Sequence, residues 1–263
     1  MTLERDPWFT QWFGEEYLAL YPERDEREAR QEAVFAREAL APFAQTGRMR
    51  FLDLACGTGR HAFTLYEGLG GVVGLDLSNR LLSHARRRRE GPARPIFLRG
   101  DMRQLPFPSG TFGAVVNFFT SFGTFEDPAD DARVVREVAR VLAPGGAFLS
   151  HVFNAERVVS TLAVREEKTV AGERVSIRRR YDPSSRRVEK EIEMGSGENK
   201  HVFRECARAY TEHELRSLHR AGALTVRAAY GNFDGSPFDR RKSPRLVLLA
   251  VKAKAKGRTE RER

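Results

Sequence analysis

Cysteine is almost missing from this 263-residue chain. Cys56 and Cys206 lie 150 residues apart, which excludes a disulfide framework. No apolar run reaches the ~18–20 residues that a membrane-crossing helix requires. The opening Met1-Thr2-Leu3-Glu4-Arg5-Asp6 carries acids and no apolar stretch, so no secretory signal is read there and a cytoplasmic location is expected. No internal repeat stands out. The histidines and cysteines have no metal-ligand spacing, so no metal is expected. Lysine is scarce: 7 of the 45 basic residues, against 38 arginines, a skew that codon usage can produce.

What is present is an ordinary globular composition, 41% hydrophobic and 31% charged. A chain of this length buries a core without staples. The net charge of +9 raises the question of a polyanion partner. Residues 252–263 hold six basic and two acidic residues, hence +4, which leaves +5 on the other 251. That is a mild excess.

Residues 8–44 read as helical, with Trp8, Phe9, Trp12, Phe13, Tyr17, Leu18 and Tyr21 in an aromatic stretch broken at Pro22 and a second helix closed at Gly47. Strands and helices then alternate. Strands are expected at 49–55, 72–77, 96–98, 112–119 and 147–153. Helices are expected at 61–69, from the Ser78 cap to about Glu90 before Gly91-Pro92, and from Asp127-Pro128 to Pro144-Gly145-Gly146. Apolar strands separated by helices predict a parallel sheet covered on both faces. From 155 to 209 the pattern alternates with period two around turns at 170–175 and 180–185, predicting three or four antiparallel strands. Thr211 with Glu214 forms a capping-box pattern for a helix ending at Gly222, followed by strands at 226–230 and 246–251. The expected division is a helical lid segment 1–46, a cofactor-binding core 47–154, an antiparallel insertion 155–209, the rest of the core 210–251, and a basic tail 252–263 expected to be disordered. The expected fold is α/β: a Rossmann-like, seven-stranded, mostly parallel sheet with helices on both faces, plus the antiparallel cap.

The sharpest local signal is Phe51-Leu52-Asp53-Leu54-Ala55-Cys56-Gly57-Thr58-Gly59-Arg60. A buried strand runs through a Gly-x-Gly loop into a helix. Glycine lets a ligand approach the backbone, and a helix N-terminus offers unpaired N–H groups. Asp76, 23 residues after Asp53, ends the second strand, where a carboxylate can take both ribose hydroxyls. Ala62 occupies the third position of the dinucleotide fingerprint. Leu98-Arg99-Gly100-Asp101-Met102 adds a second carboxylate that can take an exocyclic amine.

These motifs, together with Gly74-Leu75-Asp76-Leu77-Ser78 and Val141-Leu142-Ala143-Pro144-Gly145-Gly146, resemble those of the class I S-adenosylmethionine-dependent methyltransferases. The resemblance covers roughly 50–153, and 203–251 resembles the C-terminal part of small-molecule members. It implies S-adenosylmethionine as cofactor. Asp53, Gly57 and Gly59 would surround its methionine part, Asp76 would hold its ribose, Leu77, Asp101 and Met102 would lie at its adenine, and Ala55 would also belong to the cofactor site. Asn117 would stand where the methyl-bearing sulfur meets the substrate. Asn117-Phe118-Phe119-Thr120 lacks the two prolines of the Asn-Pro-Pro-aromatic signature of many DNA and protein amino-methylases. Tyr17 and Tyr21 would hydrogen-bond in a lid, and Phe118, Phe119, Phe122 and Phe125 would line a substrate cavity. A base is needed only where an oxygen or nitrogen nucleophile must lose a proton. His151 is the first choice, His201 and His213 the others, each with ordinary structural burial as the alternative reading.

The reading is therefore methyl transfer to an N, O or C nucleophile of a small molecule. RNA (tRNA or rRNA) methylation and a silent cofactor-binding regulatory subunit are the rivals. No membrane partner is expected, and the chain would be a monomer or homodimer.

Overall fold

In a computed structural model, residues 7–21, 26–43, 50–88, 94–195 and 200–254 are described. The expected breaks at Pro22, Gly47 and Gly91-Pro92, and most of the basic tail, lie outside them.

The chain opens with three helices, α1 (Trp8–Trp12), α2 (Glu15–Leu20) and α3 (Glu26–Leu40), and the short turn Ala41–Phe43. Then come β1 (Phe51–Leu54), α4 (Arg60–Leu69), β2 (Val72–Asp76), α5 (Asn79–Arg87), β3 (Ile96–Arg99), β4 (Phe112–Asn117), α6 (Pro128–Val141) and β5 (Leu142–Phe153). The rest is α7 (Ala155–Ser160), β6 (Arg165–Val170), β7 (Glu173–Asp182), β8 (Arg187–Met194), β9 (His201–Arg208), α8 (Glu212–Ala221), β10 (Leu224–Tyr230) and β11 (Arg245–Lys252).

Seven strands form one sheet in the order β10-β11-β5-β4-β1-β2-β3. The five from β3 to β5 are parallel, and β11 and β10 add antiparallel at the far edge. Every residue of β1 and β4 is buried, as strands covered on both faces must be. One face packs against α6 and α8 through Val134, Val138 and Leu215; the other packs against α3, α4 and α5 through Ala36, Leu65 and Leu82. β1 pairs with both β2 and β4, so the strand order reverses beside it, and the crevice at its carboxyl end is the natural ligand position of such a sheet.

Local chemistry fixes the helix starts. Ser78 Oγ accepts from Leu81 N, and Asp127 accepts from Ala129 N ahead of Pro128. Thr211 and Glu214 complete both halves of the capping box. Among the boundaries that move from the sequence reading, two bear on the site. β5 starts at Leu142 and runs through Pro144-Gly145-Gly146, with a register shift against β4 between Phe112 and Ala114. β4 ends at Asn117, because Phe119 and Thr120 both take the left-handed region, at φ 59° and 52°.

The insertion forms a four-stranded antiparallel sheet, β6-β7-β8-β9. Val175, Ile177, Ile192 and Met194 on its inner face bury against Trp12 and Leu20 of the N-terminal helices. On its outer face Arg178 pairs with Glu191 and Arg180 with Glu189, while Arg179 reaches Glu166 across the inner edge. The arginine run of α5 is likewise engaged: Arg86 with Phe97 O, Arg87 with Ser83 O, Arg88 with Glu26.

Gly59 has a role different from the expected one. It sits at φ +77°, and a Cβ there would lie 2.5 Å from the ring of Phe97. Its missing side chain thus faces the core between α4 and the sheet. It allows close packing rather than a ligand's approach. Gly59→Ala is expected to destabilise the chain by about 2–4 kcal/mol, from overpacking plus left-handed strain. A denaturant-midpoint measurement checks this; a loss below ~1 kcal/mol would contradict the packing role.

Candidate active site

A cavity of about 450 Å³ lies at the carboxyl ends of β1, β2 and β4, under the N-terminal helices and the inner face of the small sheet. Its first end is built by Ala55, Gly57, Asp76, Leu77, Asp101 and Met102. Its second end is built by Tyr21, Val188, Lys190, Glu205 and Ala207, with aromatic walls from Trp8, Phe13, Phe118, Phe119 and Phe125 between them.

At the first end, Ala55 and Gly57 turn the chain after β1 in the left-handed region, at φ 59° and 56°. The nearest atom to a Cβ on Gly57 would be Leu81 Cδ1 at 3.8 Å, so the loop backbone stands clear. The half-buried Asp76 carboxylate accepts from Gly57 N and from Ser78 N, both at 2.8 Å. Each of its oxygens keeps a lone pair for a further donor. Burial pushes its carboxyl up, against the pull of these hydrogen bonds. Asp101 is raised by partial burial, but Arg103, on both its oxygens at 2.7–3.1 Å, brings it below the usual carboxylate value.

Behind the loop, Asp53 is fully buried, and its Oδ2 has no hydrogen-bond partner among the described residues. Burial, and then the neighbouring Asp76 charge, push its carboxyl up to about 8. Asn117 is buried on the adjacent strand. It donates through Nδ2 to Leu54 O at 2.7 Å, while its Oδ1 is also without a partner. The Asp53 carboxyl and the Asn117 amide oxygen are thus two buried polar groups, on neighbouring strand ends, left without a partner among the described residues. Asp53 and Asn117 are not among the residues that line the cavity; they stand directly behind its loop 55–57.

His151 is not placed as a base. Its Nδ1 accepts from Phe119 N at 3.1 Å and its carbonyl accepts from Thr120 N at 3.1 Å. It anchors the two consecutive left-handed residues, a conformation that costs about 1–3 kcal/mol each without support. It does not line the cavity. His201 and His213 are exposed on β9 and α8, away from it. Phe122 is turned into the core toward Tyr210 and His219, so only three of the four phenylalanines reach the cavity.

The N-terminal helices connect the two ends. Ser78 Oγ donates to Phe13 O at 2.8 Å, and Glu15 pairs with His84 at 2.7 Å. On the other side, Glu205 Oε1 accepts from Trp12 Nε1 and from the Tyr21 hydroxyl, both at 2.7 Å. Lys190, directly across from Glu205 in the register, pairs with its Oε2 at 3.4 Å and donates to the Tyr21 hydroxyl. Tyr21 thus lines the second end with its hydroxyl committed to the cap. Tyr17 packs its ring against Trp12, Phe13 and Tyr21.

Sequence reasoning missed His61. It is one of the cavity-lining residues, and its ring stacks on Phe118 at 4.2 Å and meets the buried Glu32 through Nε2 at 2.6 Å. The available signal was Glu32 itself, an acid in the apolar stripe Ala29, Ala33, Ala36, Leu40 of α3.

Residues 51–146 match the family described as "Methyltransferase domain". That match covers about a third of the chain and makes this stretch similar to a methyltransferase domain. Among relatives, it is 45% identical over 103 residues to the demethylmenaquinone methyltransferase of Thermus thermophilus, covering 38% of this chain and 45% of that protein. It is 29% identical over 202 residues to the cypemycin N-terminal methyltransferase of a Streptomyces species, covering 75% and 81%. The chain spans about half the length, or less, of the first curated relatives it matches. Its fold matches that of an S-adenosylmethionine-dependent methyltransferase from Clostridium acetobutylicum, with a TM-score of 0.78 at 18% identity over 90% of this chain and 98% of the other. Among the described residues, no group of three metal-binding side chains occurs, and no helix is long and apolar enough to cross a membrane.

Proposed function

We propose that this chain transfers a methyl group from S-adenosylmethionine to a small molecule held between the N-terminal helices and the antiparallel sheet. One observation carries the reading: Asp53 Oδ2 and Asn117 Oδ1 are buried without a partner among the described residues, immediately behind a loop whose glycine leaves its backbone clear. They suit the positively charged methionine end of that cofactor. Asp76 would take the ribose hydroxyls with its remaining lone pairs. Leu77 and Met102 would pack against the adenine, with Asp101 near its amine.

The cofactor, when bound, supplies a methyl group on a sulfonium sulfur that is already a good leaving group. The protein's share is then position and dryness. Phe118, Phe119 and Phe125 exclude water, and the nucleophile must be held on axis at roughly 3–3.5 Å. Trp8 Nε1, buried in the cavity wall without a partner among the described residues, is a donor that a bound acceptor can satisfy.

A small acceptor is favoured over RNA because the arginines of the small sheet are paired strand by strand with glutamates rather than gathered into a basic stripe. The names of the relatives, a demethylmenaquinone methyltransferase and a cypemycin N-terminal methyltransferase, support methyl transfer but name different acceptors.

Calorimetry with S-adenosylmethionine and S-adenosylhomocysteine tests the reading, with micromolar affinity expected, about −8 kcal/mol. Amide exchange should slow in residues 8–21 when the cofactor site is filled. Folded protein giving no binding heat with either ligand would remove the proposal; exchange in 8–21 indifferent to saturating ligand would detach the lid from it.

A further inference from the structure

His61, Glu32 and Arg245 form a buried relay that ends in the cavity. The Glu32 side chain is 2% exposed. Its Oε1 accepts from Arg245 Nη1 at 2.7 Å, and its Oε2 meets His61 Nε2 at 2.6 Å. Arg245 is held in turn by Glu28 at 2.9 Å and lies over the ring of Phe233. The three members come from α3, α4 and β11, so the arrangement is tertiary and not a helix-surface pair.

The chemistry of the relay follows from its donors. A carboxylate already accepting from an arginine can only accept again, so the neutral imidazole carries its proton on Nε2. Nδ1 then holds a lone pair and has no hydrogen-bond partner among the described residues. Burial lowers the histidine's affinity for a proton, while Glu32 and the more distant Glu28 raise it and Arg60 lowers it again. The ring is therefore neutral before reaction, with a carboxylate behind it to stabilise the charge that a proton would bring.

We propose that His61 Nδ1 is the proton acceptor of the cavity, positioned by Glu32 and Arg245, and that the acceptor molecule is one that surrenders a proton, an amine or a hydroxyl. This rests on the methyl-transfer reading above. In the step, the nucleophile's lone pair forms the new bond to the methyl carbon. The carbon–sulfur bond breaks with its electron pair going to sulfur. The N–H or O–H proton passes to Nδ1, leaving an imidazolium against the Glu32 carboxylate.

The chain supplies its own controls for a test with diethyl pyrocarbonate, which acylates unprotonated imidazole nitrogen. His201 and His213 are exposed and should react fast. His219 is buried, with Nδ1 on Leu215 O, its other nitrogen by Ser150 and its pKa held near 4 by burial; it should stay inert. His61 is expected to react at an intermediate rate through the cavity, and about tenfold slower when S-adenosylhomocysteine fills it. Nitrogen-15 spectra of the full chain should show His61 protonated at Nε2 and bare at Nδ1 at pH 7. Glu32→Gln should slow His61 acylation at least threefold and leave His201 and His213 unchanged. A His61 as inert as His219, or a proton found on Nδ1, overturns the proposal. If Glu32→Gln fails to fold, the wild-type tautomer still decides it. Calorimetry on the same samples separates the two readings: absent binding of S-adenosylhomocysteine would count against methyl transfer, while the tautomer and the unliganded acylation rate judge His61 independently.

Discussion

Asp76→Ala is expected to weaken S-adenosylhomocysteine binding by roughly a hundredfold or more, about 3 kcal/mol, on the scale of lost charge-assisted hydrogen bonds. The effect has two sources. The carboxylate would be lost to the ribose, and it also accepts from Gly57 N and Ser78 N, so the loop and the start of α5 lose a common tie. Asp76→Asn should fall in between, since its amide oxygen still satisfies one of the two backbone donors. Calorimetry on both variants, with circular dichroism to verify folding, checks the order. Unchanged affinity in a folded Asp76→Ala variant would remove this residue from the site.

Asp53→Asn should stabilise the unliganded chain in alkaline solution while weakening its hold on the cofactor. Between the ordinary value of 3.8 and about 8, the folded chain retains a proton on Asp53 that the unfolded chain has released. Stability therefore falls as pH rises through that window and is level above it. The amide removes the slope. The variant should match the parent near pH 4 and exceed it at pH 9, by on the order of a few kcal/mol. A cofactor bearing positive charge favours the ionised carboxylate, so parent affinity should rise toward pH 8 with release of a proton, and the variant should lose that dependence. Thermal unfolding at pH 5 and pH 9, and calorimetry in two buffers of different ionisation enthalpy, measure both effects. Parallel pH curves for parent and variant would show that Asp53 does not titrate in this range.

The sheet was legible wherever a rule acts within a few residues. Buried runs such as Phe112–Asn117, the caps at Ser78, Asp127 and Thr211, and the loop at Gly57 all declare themselves locally. The functional placement of side chains was less so. The left-handed pair Phe119–Thr120 redirects the chain after β4, and no residue type there announces it; its support, His151, is 32 residues away. Phe122 looks like its neighbours in the sequence but is turned into the core by that same bend. Gly59 carries the motif yet serves packing, because its contact Phe97 belongs to a strand 38 residues on. His61 depends on Glu32, 29 residues before it, and through it on Arg245, far along the chain. Such constellations become visible only when distant elements meet.

The two ends of the cavity come from separate stretches of chain. The end around Gly57, Asp76 and Met102 lies wholly within residues 51–146, the stretch that matches the methyltransferase-domain family. The end around Tyr21, Val188, Lys190 and Ala207 lies wholly outside it. On β8 the cavity-lining Val188 and Lys190 alternate with Glu189 and Glu191 of the outer ion pairs, so inward residues can be exchanged while the outward ones keep the sheet assembled. Inheritance can therefore act on the two ends at different rates. On the methyl-transfer reading proposed above, a lineage would retain the end around Gly57, Asp76 and Met102 and reassign the receiving molecule by changing a handful of inward positions on β8 and β9.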